Sequence, residues 1–345
     1  MERQTGPLSN PVVSPEPQIL LQIRDLTTYF PLDEGILKAV DGISLDIYKG
    51  RVLGLVGESG CGKSVTAQSI LQIVPKPGIV RGQMLWYGRN GEVIDLGALN
   101  PDGEEMRSIR GRDIAMVFQE PMTAFSPVHT IGNQLMEAHF VHGKRDVAAA
   151  RARATELLEL VGIPAAARRV DEYPFQLSGG MRQRAMIAMA MMNEPRMLIA
   201  DEPTTALDVT IQAEILLLIK RIQTETGMAV LYITHDLGVI ANLADDVAVM
   251  YRGKIVECGT AGHLFRNPCH PYTSALLRSI PSFSGRRRQR LWSIPGAVGV
   301  PIDPPDECPF GNRCEHFIPG RCDVHMPADV QVEPGHRVAC VLYED

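Results

Sequence analysis

The sequence predicts an α/β fold with a mainly parallel sheet, followed by a small cysteine-rich extension. Three observations predict it. Short apolar runs alternate with stretches of helical period along most of the chain. The 345 residues are 45% hydrophobic and 21% charged, which is enough for one large domain and an appendage. After about residue 282 the composition changes, and four cysteines fall within 33 residues near the end.

The bulk properties exclude some classes of protein. No run of about 18 apolar residues occurs, so we expect no membrane-spanning helix. Residues 1–18 contain four prolines and no secretory signal, and they are predicted to be a disordered tail. A net charge of −6 argues against a nucleic-acid partner. We therefore expect a cytosolic protein that reaches a membrane only through a partner.

The first half of the chain carries strand signals. Residues 20–50 alternate apolar and polar side chains, as half-buried strands do. Residues 51–57 are almost wholly apolar, which suits a strand covered on both faces. A helix should begin near Lys63 and end before Pro75, and Asn90-Gly91 between two apolar runs predicts a hairpin.

The second half continues the alternation of strands and helices. Caps and apolar stripes predict helices, and short apolar runs predict strands. The predicted helices cover 146–161, 179–192 and 211–222, and the predicted strands cover 197–202, 228–234, 246–250 and 254–258.

Residues 57–64, GESGCGKS, fit the pattern G-x-x-x-x-G-K-[ST] between a predicted strand and a predicted helix. Glycines let the backbone curl so that its N–H groups face a phosphate, and the helix N-terminus adds positive potential. Lys63 should contact the β- and γ-phosphates, and Ser64 should hold Mg²⁺. The residues predicted to contact ATP are Gly57, Glu58, Ser59, Gly60, Cys61, Gly62, Lys63, Ser64 and Val65.

Two carboxylates end the predicted strand MLIADE at 197–202. ATP hydrolysis needs one group to anchor the metal and another to position water. We assign Asp201 to Mg²⁺ and Glu202 to orienting or deprotonating the water. An ordinary strand end capped by acids is the alternative, and the nearby phosphate loop makes it the weaker one.

LSGGMRQR at 177–184 predicts a second anion-binding helix N-terminus. Ser178 can cap a helix that begins with Gly179 and Gly180, whose bare backbone lets a phosphate approach closely. One chain with two phosphate-binding helix starts suggests that one of them serves the nucleotide of a neighbouring subunit.

These motifs resemble, in family order, those of the ATP-binding-cassette ATPases over about residues 20–280. The resemblance implies a P-loop NTPase fold with an antiparallel β subdomain and a helical subdomain. It implies that Phe30 stacks on adenine and that Gln119 of MVFQEP reaches the metal and the lytic water. It also implies that Asp208 lies at a dimer interface and that His235 of ITHD contacts the γ-phosphate. Taken singly, Phe30 could equally be a core residue, and Gln119 and His235 ordinary strand-end residues.

A closer resemblance is to the ATPase subunits of oligopeptide and dipeptide importers, on DEPTTALDVTIQAEIL, CGTAGHLFRNPCHPYTSALL and the cysteine tail. It implies a second ATPase subunit, by preference a paralogue, with two permease subunits and an extracytoplasmic solute-binding protein. It also implies a peripheral position on the cytoplasmic face of the membrane. Nickel or another small solute is an alternative cargo. A non-transport ATPase of this fold would normally need a coiled-coil insertion or tandem cassettes, and this chain has neither.

The cysteine tail has the spacing Cys308-x5-Cys314-x7-Cys322-x17-Cys340. Four thiolates suit a [4Fe–4S] cluster or tetrahedral zinc, but zinc sites usually contain close C-x-x-C pairs. The wide spacing therefore favours the cluster, and the importer subgroup has a similar tail associated with one. Zinc and plain buried thiols stay open.

We divide the chain into the tail at 1–18, an ATPase domain at 19–281 and the extension at 282–345, which starts with a charged linker at 284–290. Cys61 lies in the phosphate loop at a helix N-terminus, which should lower its pKa and make it a candidate for oxidation. The favoured interpretation is that Cys61 is a small residue that fits the loop.

Overall fold

The structure is a computed structural model that describes residues 17–120, 124–143, 145–205, 208–280 and 293–344. The linker at 284–290 and nearly all of the predicted disordered tail lie outside these ranges. Their character, like the boundary at residue 282, stays a prediction.

The strands of the described ranges form two sheets. They are β1 (Ile19–Leu32), β2 (Gly35–Tyr48), β3 (Val52–Val56), β4 (Ile79–Tyr87), β5 (Val93–Asp95), β6 (Ile114–Val117), β7 (Met197–Asp201), β8 (Ala229–Thr234), β9 (Asp246–Tyr251), β10 (Lys254–Thr260), β11 (Asp329–Glu333) and β12 (His336–Ala339).

The α-helices of the same ranges are more numerous than predicted, because only the four that begin at Lys63, Val147, Gly179 and Val209 are expected from the sequence. They are α1 (Lys63–Ile70), α2 (Glu104–Ile109), α3 (Ile131–Phe140), α4 (Val147–Leu160), α5 (Ala166–Arg169), α6 (Gly179–Ala190), α7 (Val209–Thr226), α8 (Leu237–Leu243), α9 (Ala261–Arg266) and α10 (Pro271–Arg278). None of them is both long and apolar enough to cross a bilayer.

The larger sheet has the order β11-β12-β10-β9-β3-β8-β7-β6 and is parallel from β9 to β6. Its central strands are buried along their whole length, as the apolar run at 51–57 predicts. In β3, Val52 and Val56 join one apolar cluster while Leu53 and Leu55 join another. Helices and the second sheet therefore cover both faces, which confirms the expected architecture.

The smaller sheet is antiparallel with the order β2-β1-β4-β5. The predicted hairpin at Asn90-Gly91 is present, because β4 pairs with β5 and Gly91 has a φ of 84°. This sheet packs on one face of the larger sheet through residues such as Leu45 and Trp86. It is the antiparallel β subdomain that the family resemblance implies.

The extension contributes to the larger sheet. β12 pairs with β10 through Glu257↔Val338 and Cys258↔Arg337, and β11 pairs with β12 as the outermost strand. An isolated bridge also joins Leu37 to Ile302. The extension is thus anchored to the ATPase domain at two separate places.

Candidate active site

The predicted catalytic groups lie at the carboxyl ends of four neighbouring parallel strands. The phosphate loop follows β3, Gln119 follows β6, Glu202 follows β7 and His235 follows β8. Because parallel strands end at the same edge of a sheet, residues far apart in sequence meet there. The sheet topology therefore assembles the site that the motifs predict.

The backbone of the phosphate loop requires its glycines. Gly57, Gly60 and Gly62 have φ values of 157°, 80° and 110°, which favour residues without a Cβ. A Cβ on Gly57 would lie 2.2 Å from the Met250 carbonyl oxygen, and one on Gly62 equally close to that of Ala39. A Cβ on Gly60 would meet open space instead. The loop is thus packed against neighbouring backbone at Gly57 and Gly62 and open to solvent at Gly60, as a phosphate-binding loop requires.

Lys63 and Ser64 begin α1 directly after this loop. The ammonium of Lys63 donates to the carbonyls of Gly57 and Glu58, at 2.8 and 3.0 Å, and its side chain is buried. The Ser64 hydroxyl donates to Asp201 Oδ1 at 3.0 Å. Burial raises the pKa of the Asp201 carboxyl, so a cation beside it would favour its charged form.

Glu202 is the centre of the hydrolytic group. One carboxylate oxygen accepts from Gln119 Nε2 at 3.4 Å and from the Thr205 hydroxyl at 2.9 Å. The other lies 3.2 Å from His235 Nδ1. Glu202 has a φ of 44°, unusual for a residue with a side chain, so the backbone is held in a strained turn. Sequence reasoning missed Thr205, which no motif singled out.

An open cleft of about 560 Å³ joins these groups to the extension. Lys63, Ser64, Gln119 and Glu202 line one side of it. Phe30 lines it too, at the position where the family resemblance places an adenine-stacking residue. The segment 298–301 of the extension forms another wall, which sequence reasoning missed because nothing in this Pro- and Gly-rich stretch marks it as a nucleotide contact.

The second predicted phosphate cradle lies outside this cleft. Ser178 caps α6 by accepting from the Met181 N–H, and a Cβ on Gly179 would meet no atom within 4 Å. Asp208 caps α7 by accepting from the Ile211 N–H. The starts of α6 and α7 are adjacent, because a Cβ on Gly180 would lie 3.0 Å from the Ile211 side chain. Within one chain, these groups form an exposed surface and do not contribute to its own cleft.

The extension also contacts the phosphate loop through Arg313. Its guanidinium donates two hydrogen bonds to the Glu58 carboxylate, at 2.7 and 3.1 Å, and a third to the Tyr251 hydroxyl. The same group donates to the carbonyls of Pro295 and Gly296, and its side chain is only 4% exposed. The Glu58 N–H donates to the Tyr272 hydroxyl at 2.9 Å. No sequence signal predicted this support for the loop.

The prediction for Cys61 is wrong in direction. The thiol is buried, and burial raises its pKa more than Lys63 and the helix N-terminus lower it. Cys61 is therefore a packing residue of the loop in its resting state. A Cβ on Gly57 would come within 2.8 Å of its sulfur, which shows how closely the thiol fills the space behind the loop.

The four cysteines of the tail are free thiols, and all except the partly buried Cys314 are buried. Burial, and then the neighbouring thiols of Cys314, Cys322 and Cys340, raise the pKa of Cys308 to about 12. The backbone N–H of Cys308 donates to the Cys322 carbonyl at 2.8 Å, which joins the two halves of the segment. The other three tail thiols thus lie near enough to Cys308 to influence its pKa, and their role as ligands of one metal group stays a prediction.

Comparison with known proteins assigns a class to this site. Residues 40–205 match the family model described as ABC transporter. The fold resembles the cassette MJ0796 in a dimeric post-hydrolysis state bound to ADP and Pi, with a TM-score of 0.61 and 28% identity, over 70% of this chain and 99% of that one. The protein is an ATP-binding-cassette ATPase.

Closer relatives define the group within that class. Residues 256–322 match the family model for the oligopeptide/dipeptide transporter C-terminal region. A probable peptide ABC transporter ATP-binding protein of Sinorhizobium fredii is 48% identical over 95% of this chain and 96% of its own. The dipeptide transport ATP-binding protein DppD of Bacillus subtilis is 47% identical over 94% and 95%. This chain belongs to the family of peptide ABC transporter ATP-binding proteins.

Proposed function

We propose that this chain hydrolyses ATP to drive peptide uptake through a membrane permease. The observation that carries the proposal is one cleft in which the phosphate loop, the Glu202 group and a wall of the extension meet. Residues 256–322 match the C-terminal region of oligopeptide and dipeptide transporters, which supports peptides over nickel or another solute as cargo.

The residues present fit Mg-ATP. The phosphate loop is packed on one side and open on the other, so phosphate oxygens can approach its backbone, and Lys63 lies at its end. Ser64 Oγ and Asp201 Oδ1, 3.0 Å apart, are oxygen ligands spaced like neighbouring positions of an octahedral Mg²⁺ site, which are about 3 Å apart. Phe30 offers an aromatic face for the base.

Bound Mg-ATP would supply a polarised γ-phosphoryl group for attack by water. Glu202 would accept one water proton as the oxygen bonds to phosphorus and the bond to the ADP oxygen breaks. Gln119 and Thr205 hold one carboxylate oxygen of Glu202, and the other stays next to His235. His235, whose side chain is 58% exposed, is free to turn toward a γ-phosphate oxygen.

We further propose that a second ATPase subunit, by preference a paralogue, completes each site. The exposed start of α6 at Ser178, Gly179 and Gly180 would cover the nucleotide of the partner, with Asp208 at the same interface. Nucleotide contacts made only in the closed pair would then drive closure, and loss of the γ-phosphate would reopen it. The dimeric state of MJ0796 with ADP and Pi supports this arrangement.

Glu202→Gln tests the catalytic part of this proposal. We expect it to bind ATP as the parent does, to hydrolyse it at least about a hundredfold more slowly, and to accumulate as a closed dimer with its mate. Glu214→Gln is the control, because Glu214 is an exposed helix residue paired with Arg184. Hydrolysis by Glu202→Gln at the parent rate would contradict the role of Glu202.

The proposed transport function has to be tested on the assembled complex, which contains this chain, the second ATPase subunit, two permease subunits and the solute-binding protein. We expect a peripheral subunit on the cytoplasmic face, released from membranes only with its permease. ATPase activity in proteoliposomes should rise with peptide-loaded binding protein and not with Ni²⁺. Stimulation by Ni²⁺ alone would assign the cargo to metal ions.

We propose a [4Fe–4S] cluster on Cys308, Cys314, Cys322 and Cys340. The support is the spacing of the four cysteines, which contains no close C-x-x-C pair of the kind that zinc sites usually have. Four thiolates are the ligand set of such a cluster.

Anaerobic purification followed by iron, acid-labile sulfide and zinc analysis decides the ligand. We expect about four irons and four sulfides per chain. Cys314→Ser should lower both, while Cys258→Ser, which alters a cysteine outside the tail, should lower neither. Stoichiometric zinc without iron would contradict the cluster.

A further inference from the structure

A second group of potential metal ligands lies on the hairpin of β11 and β12. Glu333 and His336 are cross-strand partners on either side of its turn, where Gly335 has a φ of 76°. His263 of α9 packs against them, with its ring 5.7 Å from that of His336 and tilted by 27°. One ligand atom from each of the three side chains lies within 4.8 Å of the other two.

The buried carboxylate of Glu257 determines which ring nitrogen of His336 carries the proton. Glu257 accepts from the backbone N–H groups of Cys269 and His270, at 2.8 and 2.9 Å. His336 Nε2 lies 2.8 Å from the same carboxylate, and both side chains are wholly buried. Because a carboxylate in this position accepts, Nε2 carries the proton and donates to it. In the neutral imidazole, the form that binds metals, the lone pair is then on Nδ1.

That Nδ1 atom is buried and has no hydrogen-bond partner in the described part of the chain. The same is true of Nδ1 of His263. A buried imidazole nitrogen without a partner is costly unless a ligand satisfies it, so Nδ1 is the ligand atom that His336 can offer, while His263 can offer Nε2 beside Glu333. Glu333, about half exposed, lies with its carboxylate oxygen 3.9 Å from His263 Nε2 and supplies negative charge at the solvent side.

We propose that His263, Glu333 and His336 bind a divalent transition-metal ion of the zinc type. Two imidazoles and one carboxylate are a ligand set that such ions prefer, with a fourth position open to water. Glu257 would act as the outer carboxylate that orients a metal-bound histidine. This site shares no residue with the four-cysteine site and does not depend on the proposed function.

The site would join two parts of the protein. His263 belongs to the helix that follows β10, and Glu333 and His336 belong to the hairpin that extends the sheet beyond β10. A bound ion would hold that hairpin against the helix, so it should raise the unfolding temperature of the whole chain.

The test is a titration of the full chain with Zn²⁺, followed by calorimetry and metal analysis, in which the difference between parent and variant cancels any binding at the four tail cysteines. The parent should bind one more Zn²⁺ than His263→Gln, and Glu333→Gln should bind it at least about tenfold more weakly. His263 is the residue of choice because it is partly exposed, whereas a change at buried His336 could unfold the hairpin. Added Zn²⁺ should raise the unfolding temperature of the parent and not that of His263→Gln.

Two control variants make the outcome specific. His325→Gln removes an imidazole that is similarly exposed and lies 3.1 Å from Glu344, so it should keep the extra Zn²⁺. Cys269→Ser should also keep it, although Cys269 lies near Glu257 and His336. Equal Zn²⁺ binding by the parent and His263→Gln would overturn the proposal. Loss of the extra Zn²⁺ in Cys269→Ser but not in His263→Gln would also overturn the proposal, because Cys269 would then be the ligand.

Discussion

The two sides of the nucleotide cleft are built in different ways. The catalytic side consists of the phosphate loop and the ends of three adjacent parallel strands, so its groups have a rigid backbone behind them. The opposite wall, 298–301, is irregular chain from the extension, and it is attached to the ATPase domain by the bridge at Ile302 and by Arg313.

The two sides of the cleft therefore have different roles: one carries the groups expected to act on phosphate, and the other holds the phosphate loop and closes the cleft. The groups expected to act on phosphate derive their positions from local motifs and sheet topology. The support for Glu58, and the wall of the cleft, come from residues about 240 to 260 positions later in the chain. The cleft is thus completed by a segment that the hydrolytic motifs do not specify, and the following predictions test how far each side matters.

The largest effect is expected on the catalytic side, from Lys63→Ala. This change removes the charged donor predicted for the β- and γ-phosphates and the two bonds that hold the loop. Charge-assisted hydrogen bonds are worth about 1.5–3 kcal/mol each, so kcat/KM for ATP should fall at least about a hundredfold. Steady-state ATPase assays measure this. Lys76→Ala, at an exposed position, should match the parent.

Arg313→Gln tests the support from the extension. It leaves Glu58 without its bidentate partner in a mostly buried place, so the free energy of unfolding should fall by about 2 kcal/mol. KM for ATP should rise, because the loop loses its anchor. Urea unfolding and ATPase assays give the two quantities.

Arg313→Lys should recover only part of the free energy of unfolding and of the ATP affinity that Arg313→Gln loses, because an ammonium cannot form a bidentate pair with a carboxylate. Arg151→Gln is the matched control, because Arg151 forms a similar bidentate pair with Asp171 on the surface, and loss of that pair should leave the stability close to that of the parent. If Arg313→Gln behaves like Arg151→Gln, the extension does not support the loop.

A smaller effect is expected at the wall of the cleft, from Val300→Ala. Val300 is 65% exposed without ligand, so a base that covers it would gain apolar contact. Loss of two methyl groups should weaken ATP binding by about threefold, less than full burial would give. Calorimetric titration with non-hydrolysable ATP measures it. Val324→Ala, also exposed but outside the cleft, should have no effect.

The smallest effect concerns the pH dependence of stability. Burial raises the pKa of Asp201 in the folded, ligand-free chain above its unfolded value. Its contribution to stability is therefore fully present below the unfolded pKa and is lost as pH rises through the folded one. The parent should lose stability relative to Asp201→Asn as pH rises from 4 to 7. Parallel thermal unfolding without Mg²⁺ checks this, and a constant difference would contradict it.

Much of the fold could be predicted because periodicity and caps are local. Gly57 and Gly62 are required by their own backbone, and Asp146 caps α4 where the sequence indicates a cap. The order of the parallel strands then brings Gln119, Glu202 and His235 together, as the family resemblance implies.

The rest could not be predicted, because it depends on tertiary contacts that no spacing encodes. Thr205 lies in the run DEPTTALDVTIQAEIL and Arg313 in the cysteine tail, but neither pattern indicates a role for them, because their partners are defined only once the chain has folded. For Cys61, the sequence indicated the helix N-terminus correctly but not the burial, which has the larger effect on its pKa. The burial of a side chain depends on residues distant in sequence, whereas its secondary structure depends mainly on its neighbours along the chain.

The pairing of β12 with β10 has a consequence for solubility. An unpaired edge strand is a template on which another chain can add, and β12 covers that edge of the larger sheet. The outermost strand becomes β11, only five residues long and with an acidic residue at each end, Asp329 and Glu333. Removal of the extension would bare the N–H and C=O groups of β10, so a truncated ATPase domain should self-associate.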